Sequence, residues 1–550
     1  MSGIGKRGQG SRSVRHDQPV LGFSSETSRK SQVPGENNKE DVEIDNVAPS
    51  CNVEEPNSTT PLLRRSQSAR QPEQSPRRTS FVCGLFLPLF LIAALLVIFH
   101  SHLTWSSTPT SDLPSSLLPN STISNGTHTF HRTVLLISLD GAKPTYLTSA
   151  LAPQLHNLGM SSPNSRKAAF MQPIFPTLTF PNHWALLSGL FASSHGIVGN
   201  DFTLASTGQQ FYYTSPAKSW NGSWWIGEPI WATAERAGLN SAVLMWPGPP
   251  VTSAGFQPRY FQKYESGPEW NLDGRLRKVL EWIDMEGMEE RPSLICAYVP
   301  DIDQAAHKFG PESGQALSAL QRVDAFIGEL RRELVDQRNL GKVVDFVVVS
   351  DHGMTRTSND RLVFLDDLLG QKLYGSVDHR DGWPSAGLRF KGTPAEQRAY
   401  ARQAYEKLSK AQEQNGEGWS LYWREDLPER YHLASSTVED RLAPLWMIPK
   451  LGWSITTHPE MASFADGVYA PVGNHGYDNE EADMRAIFVA SGPSFTKTDE
   501  EEKGKGWNMD GFRNVEVHNL VSRILGVPES KRAPTNGTWT FWDSHLRAGL

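Results

Sequence analysis

A large α/β domain is predicted for residues 131–550, with a central mostly parallel sheet, helices on both faces and a small inserted subdomain. Three features predict it. Short, largely apolar, β-branched runs recur at 133–139, 294–299, 343–349 and 486–490. Such runs suit strands buried on both faces of a parallel sheet. Helical stretches alternate with them. Leu317, Leu320, Val323, Phe326, Ile327 and Leu330 have helical spacing over 315–334, and 394–408 repeats the pattern more weakly. Polar residues directly follow several of the runs, at the sheet edge where open α/β folds gather their ligands. The Trp- and Pro-rich stretch 419–475 reads as an irregular insertion carrying the smaller subdomain.

The first 79 residues have a different character. They are rich in Ser, Arg, Gln, Pro, Glu and Asn and poor in aromatics, so they cannot bury enough apolar surface to order themselves. An uncharged run from Phe81 to Phe99 follows. At ~1.5 Å per residue it matches a bilayer core, so 80–100 is expected to be a transmembrane signal-anchor helix. Arg77 and Arg78 precede it. The positive-inside rule then puts the tail in the cytosol and the bulk of the chain in the lumen or outside the cell. This is a single-pass type II arrangement, expected in the vacuolar or plasma membrane. Residues 101–130 are Ser/Thr/Pro-rich and read as a stalk. Sequons at Asn120, Asn125, Asn221 and Asn536 lie on the predicted lumenal side, where N-linked glycans are expected.

Composition excludes some classes. Cys51, Cys83 and Cys296 fall in three different kinds of segment, which argues against a disulfide framework. A net charge of −7 gives no footprint for a nucleic-acid partner. An anionic ligand would need a local positive site, such as bound cations.

The chemistry-bearing residues sit in four segments. Asp140 ends the first apolar run. Asp303 and His307 follow the 294–299 run, and Asp351 and His352 follow the third. His475 lies in a Gly-rich turn. Carboxylate oxygen and imidazole nitrogen are ligands that zinc takes at ~2.0–2.2 Å. Two ions about 4 Å apart would clamp a phosphoryl group. An aspartate after a strand is also a common helix cap, and a lone histidine is more often structural. The convergence of four segments is what singles out the set. Thr179 precedes Phe180-Pro181, and proline favours a first helical turn. A helix N-terminus there favours a phosphate. A threonine hydroxyl is a weak nucleophile until a metal or base activates it.

These residues resemble the nucleotide pyrophosphatase/phosphodiesterase family of the alkaline phosphatase superfamily, from about Thr133 to Phe541. Five motifs carry the resemblance: Ser138-Leu-Asp-Gly, Pro176-Thr-Leu-Thr-Phe-Pro-Asn-His, His195-Gly-Ile-Val-Gly-Asn200, Ser350-Asp-His-Gly-Met and Asn474-His-Gly-Tyr-Asp-Asn. It implies an alkaline phosphatase-like fold and two zinc ions. One would be held by Asp140, Thr179, Asp351 and His352, the other by Asp303, His307 and His475. It implies that Thr179 attacks phosphorus to give a phospho-threonine ester, which water then hydrolyses, and that Asn200 donates a hydrogen bond to the phosphoryl oxygen. Phe180, Trp246, Pro247 and Tyr264 resemble the walls that hold a nucleobase in nucleotide-cleaving members. The implied activity is hydrolysis of nucleotide phosphodiester and pyrophosphate bonds to nucleoside 5′-monophosphates. A phospholipid or choline-phosphodiester hydrolase on the same metals is the alternative. The chain departs from the family at Leu178, where some nucleotide-cleaving members carry Lys, and at Pro249-Pro250, where they tend to have Ser and an acid. It resembles the shorter fungal-type members with a cytosolic tail and a bare catalytic domain.

Overall fold

The computed structural model describes residues 122–550 apart from 416, 435–436, 465–466, 496–507 and 548. The predicted tail, the membrane span at 80–100 and Asn120 lie outside the described residues. Among the described residues no helix is long and apolar enough to cross a membrane.

Eight strands form the central sheet: β1 Thr133–Leu139, β2 Ser165–Ala168, β3 Ser241–Leu244, β4 Tyr260–Gln262, β5 Leu294–Val299, β6 Val344–Val349, β7 Phe488–Ser491 and β8 Asn508–Met509. Their spatial order is β8-β2-β7-β6-β1-β5-β3-β4. From β6 to β4 all neighbours are parallel. β7 runs antiparallel to β6 and β2. Every residue of β1, β5 and β6 is buried, which is why these strands read as unbroken apolar runs. β1 and β5 match the predicted runs to the residue. β7 starts two residues late, because Ala486 exchanges backbone hydrogen bonds with Met171 outside the sheet (2.7 and 2.8 Å).

Helices among the described residues include α1 Thr179–Ser188, α2 Leu272–Ile283, α3 Asp301–Phe309 and α4 Gly314–Arg331. The predicted helix over 315–334 is α4. The Ser313 hydroxyl caps it by accepting from the Ala316 N–H, and the chain continues as a π-turn over Arg332–Gln337. The weaker pattern at 394–408 becomes a helix over Pro394–Asn415.

Two boundaries differ from expectation. Residues 419–475 are not simply irregular. Trp419–Trp423 and Leu445–Pro449 join Val377–Asp381 and Ala386–Phe390 in a four-stranded antiparallel sheet, so the subdomain begins well before 419. Its strand at 445–449 lies between two cores. Leu445 and Met447 face the subdomain core, while Trp446 and Ile448 join the main one. With both faces apolar, the strand loses the alternation that marks a surface strand. Residues 122–130, placed in the stalk by composition, are folded instead. Ile123–Ser124 pairs with Thr129–Phe130, and Phe130 is buried beneath the Arg291 guanidinium, 4.4 Å from the ring centre. One aromatic anchor is too small a signal to stand out in a Ser/Thr-rich segment.

Candidate active site

Parallel packing of β6, β1 and β5 brings their carboxyl ends to one edge of the sheet. Asp140 directly follows β1, and Asp351 comes two residues after β6. α3 starts just beyond β5 and carries Asp303 and His307, one turn apart on the same helix face. His475 lies on a turn after the short strand Gly473–Asn474, which pairs with Thr355–Arg356 beyond β6. Thr179 is the first residue of α1. Leu178 holds the cap position, with extended backbone and no side-chain cap, so the Thr179 hydroxyl is not used in capping. It points toward His352, with Oγ1 at 3.3 Å from Nε2.

The predicted ligands form one adjoining cluster: Asp303 groups with His307 and His475 and also with Asp140 and His352, and Asp140 and Asp351 group with His183. Asp303 Oδ1 lies 3.4 Å from His307 Nε2 and 3.7 Å from His475 Nε2, and the two imidazole nitrogens are 3.1 Å apart. His352 Nε2 lies 2.9 Å from Asp351 Oδ2 and 3.5 Å from Asp140 Oδ1. Ligands at ~2.1 Å in a tetrahedron are separated by about 3.4 Å, close to these spacings, so the cluster is compatible with bound metal. The rings are held from behind. The Nδ1 atoms of His307, His475 and His352 contact the backbone carbonyls of Gly473 (2.8 Å), Thr177 (2.8 Å) and Gly353 (2.9 Å). A carbonyl only accepts, so each Nδ1 carries a proton, and in the neutral ring Nε2 presents a lone pair.

Buried oxygens tell the same story. Asp140 Oδ1, Asp303 Oδ1 and Asp351 Oδ2 have no aligned hydrogen-bond donor. Asp351 Oδ2 and His352 Nε2 approach to 2.9 Å without an aligned hydrogen bond, as two ligands of one cation would. Burial pushes the Asp140 carboxyl well above the usual carboxylate range, helped by the charges of Asp351 and Asp303. Burial raises Asp303 as well. Burial acts the same way on Asp351, but His352 and His183 overcome it and hold that carboxyl well below the usual range. Burial and the neighbouring His352 and His307 push the His475 imidazole well below its ordinary value. Divalent cations among these groups would offset both the burial cost and the mutual repulsion. The donor set therefore fits metal binding.

The remaining predicted residues occupy different positions. Asn200 accepts from the Phe180 N–H through Oδ1 at 3.0 Å, which leaves its NH2 group to donate elsewhere. Phe180 is half-buried and packs edge-on against Tyr213 and Phe211. Tyr264 is 45% exposed, with its ring edge toward Tyr298. Trp246 and Pro247 are buried. The Trp246 ring packs edge-on against His183 at 5.2 Å, so it supports α1 from below.

Two buried residues went unassigned in the sequence. His183 contacts Ser138 Oγ through Nε2 (2.9 Å) and the Thr179 carbonyl through Nδ1 (2.8 Å), and that nitrogen is 3.3 Å from Asp351. It ties the start of α1 to β1 and to the loop after β6. Its spacing, one turn after Thr179, was the available signal. The Tyr298 hydroxyl donates to Asp140 Oδ2 at 2.6 Å. Inside a fully buried strand it read only as core.

A family model described as type I phosphodiesterase/nucleotide pyrophosphatase matches residues 134–478. An uncharacterized pyrophosphatase/phosphodiesterase of Schizosaccharomyces pombe is 38% identical over 75% of this chain and 80% of its own length. Human ectonucleotide pyrophosphatase/phosphodiesterase family member 1 is 32% identical over 74% of this chain, but the match spans only 40% of that longer protein. The solved structure of murine ectonucleotide pyrophosphatase/phosphodiesterase 5 is covered in full, with 76% of this chain aligned at 27% identity and a TM-score of 0.63. That protein has also been solved in an inactive threonine-to-alanine form in complex with AMP. Fold and relatives together define a hydrolase acting on phosphodiester bonds. The chain belongs to the type I phosphodiesterase/nucleotide pyrophosphatase family.

Proposed function

We propose that the chain hydrolyses phosphodiester and pyrophosphate bonds of nucleoside triphosphates and dinucleotides, releasing nucleoside 5′-monophosphates through a phospho-threonine at Thr179 and with two zinc ions. The observation that carries this reading is the Thr179 hydroxyl, unspent on capping, 3.3 Å from His352 Nε2 at the N-terminus of a ten-residue helix. Asp140, Asp351 and His352 would hold one ion with Thr179, and Asp303, His307 and His475 the other. Bound zinc supplies positive charge that favours the Thr179 alkoxide and offsets the charge of the phosphoryl group.

The chain's own residues do the rest. The N-terminal end of the α1 dipole favours the phosphoryl group. The Asn200 NH2 donates to a phosphoryl oxygen, while its carbonyl stays fixed on the Phe180 N–H. Thr179 Oγ1 attacks phosphorus, the bond to the leaving group breaks, and water then cleaves the ester. Phe180 and Tyr264 keep accessible ring surface for a nucleobase, which stacking would hold with little regard to its identity. The AMP complex of the murine relative supports a nucleotide occupant.

The tail at 1–79, the anchor at 80–100 and a lumenal or extracellular catalytic domain complete the proposal. Asn221 and Asn536 are exposed and suit glycan attachment. Asn125 is half-buried, with its amide donating to the Arg338 carbonyl at 2.8 Å. A panel of nucleoside triphosphates, dinucleotides, lysophospholipids and glycerophosphocholine tests the substrate class. Nucleotides are expected to be cleaved fastest. Preference for a choline or lipid ester would replace this reading with the alternative one.

A further inference from the structure

The inserted subdomain reaches back to the loops of the site at several points: the Tyr477 hydroxyl donates to the Trp453 carbonyl at 2.9 Å, and Tyr431 makes a second link. Tyr431 is 3% exposed, and its ring stacks on Phe175 with centroids 3.7 Å apart and planes 10° from parallel. Its hydroxyl donates to Asp478 Oδ2 at 3.0 Å. The preceding residue, Arg430, forks onto the same carboxylate, with one nitrogen 2.7 Å from Oδ1 and the other on Oδ2. The Arg430 guanidinium also lies 4.7 Å from the Tyr431 ring centre.

The two residues that Tyr431 touches belong to different parts of the site. Phe175 begins the segment that ends at Thr179. Asp478 ends the turn that carries His475. These two segments are laced directly to each other. His475 Nδ1 contacts the Thr177 carbonyl, the Thr177 hydroxyl donates to the Tyr477 carbonyl (2.9 Å), and the Gly476 N–H donates to that hydroxyl (3.0 Å). The lacing is made of single hydrogen bonds between loops. A stacked ring on one loop and a charge-assisted fork on the other add a second tie between them.

We infer that Tyr431 and Arg430 are positioning residues, supplied by the inserted subdomain, that set the place of His475 relative to Thr179. The inference rests on the functional reading above. In that reading His475 serves one metal ion and Thr179 borders the other, so a shift between the loops opens the clamp on the phosphoryl group. A misplacement near 1 Å at such a centre costs on the order of a hundredfold in rate. A partial loosening costs less.

The test uses the full chain and the variants Tyr431→Phe, Arg430→Lys and Tyr405→Phe. Tyr431→Phe keeps the stack and loses only the hydroxyl. Tyr405 stacks on Trp423 within the same subdomain, at 4.8 Å, and serves as the control. The readouts are kcat and KM on a chromogenic nucleoside 5′-phosphodiester, the rate at which a chelator strips zinc, and Tm. Tyr431→Phe and Arg430→Lys are expected to lower kcat about tenfold or more with KM little changed, and to speed loss of one zinc equivalent of the two. Tyr405→Phe is expected to match wild type in all three. Wild-type kcat and zinc loss in both Tyr431→Phe and Arg430→Lys would overturn the inference and leave the function standing. So would losses that merely follow a fall in Tm and are shared by Tyr405→Phe. A wild-type chain that cleaves no phosphodiester overturns the functional reading itself, and this inference with it.

Discussion

His307 Nε2 and His475 Nε2 face each other at 3.1 Å while both rings are fixed from behind by backbone carbonyls. In neutral rings this sets lone pair against lone pair. Asp303 Oδ1, with no aligned donor of its own, completes the triangle. Such an arrangement is favourable when a cation sits among the three atoms. Metal binding and fold stability are therefore linked. At free zinc 100- to 1,000-fold above Kd, each site is expected to stabilise the folded chain by about 3–4 kcal/mol. Thermal melts with zinc and with chelator should differ by several degrees. Equal melting temperatures would contradict the linkage.

Thr179→Ala removes the proposed nucleophile and leaves the imidazoles and carboxylates in place. Turnover is expected to vanish while zinc content stays at the wild-type level. Denatured wild-type enzyme, quenched during turnover, should carry phosphate on the peptide containing Thr179. Substantial hydrolysis by the variant would reject the assignment.

Asn200→Asp separates two roles of one side chain. The variant keeps an oxygen for the Phe180 N–H but loses the NH2 donor. A fall in kcat on the order of 10²–10³ is expected, as for loss of an oxyanion donor, with Tm little changed. A variant with wild-type kcat would remove Asn200 from the chemistry.

How far the sequence foretold this site follows from what each signal depends on. The buried parallel strands were legible because burial on both faces leaves an unbroken apolar run. The acid and imidazole residues after them were legible because strand ends and short spacings place them. Thr179 was legible through proline-marked helix entry. Trp246, which resembles a nucleobase wall in the sequence, is buried against His183; that packing depends on how α1 lies over β3, which no local pattern encodes. Tyr298 and His183 were hidden for the same reason, since their partners are residues 158 and 45 positions away. The subdomain strand at 445–449 was masked by having two cores.

Asp345 offers a test of electrostatics at the start of β6, the end of the strand away from Asp351. It is fully buried and accepts from the Ser494 N–H and hydroxyl at 2.8 and 2.7 Å. Burial pushes its pKa up to about 6, against an ordinary value of 3.8, despite the Ser494 hydrogen bonds. The folded state therefore holds the proton more tightly than the unfolded chain. This contribution to stability is present below pH 4 and is lost as pH rises to about 6. It amounts to no more than about 3 kcal/mol. Asp345→Asn removes it. The stability of the variant relative to wild type should rise between pH 4 and 6 and then level off. A difference independent of pH would show that Asp345 ionises normally.

The most direct test of the two-metal account is anomalous scattering at the zinc edge from crystals of the catalytic domain within the full chain. Two peaks are predicted. One lies among Asp140, Asp351, His352 and Thr179, and the other among Asp303, His307 and His475. An active preparation with no peak at either place would contradict the account.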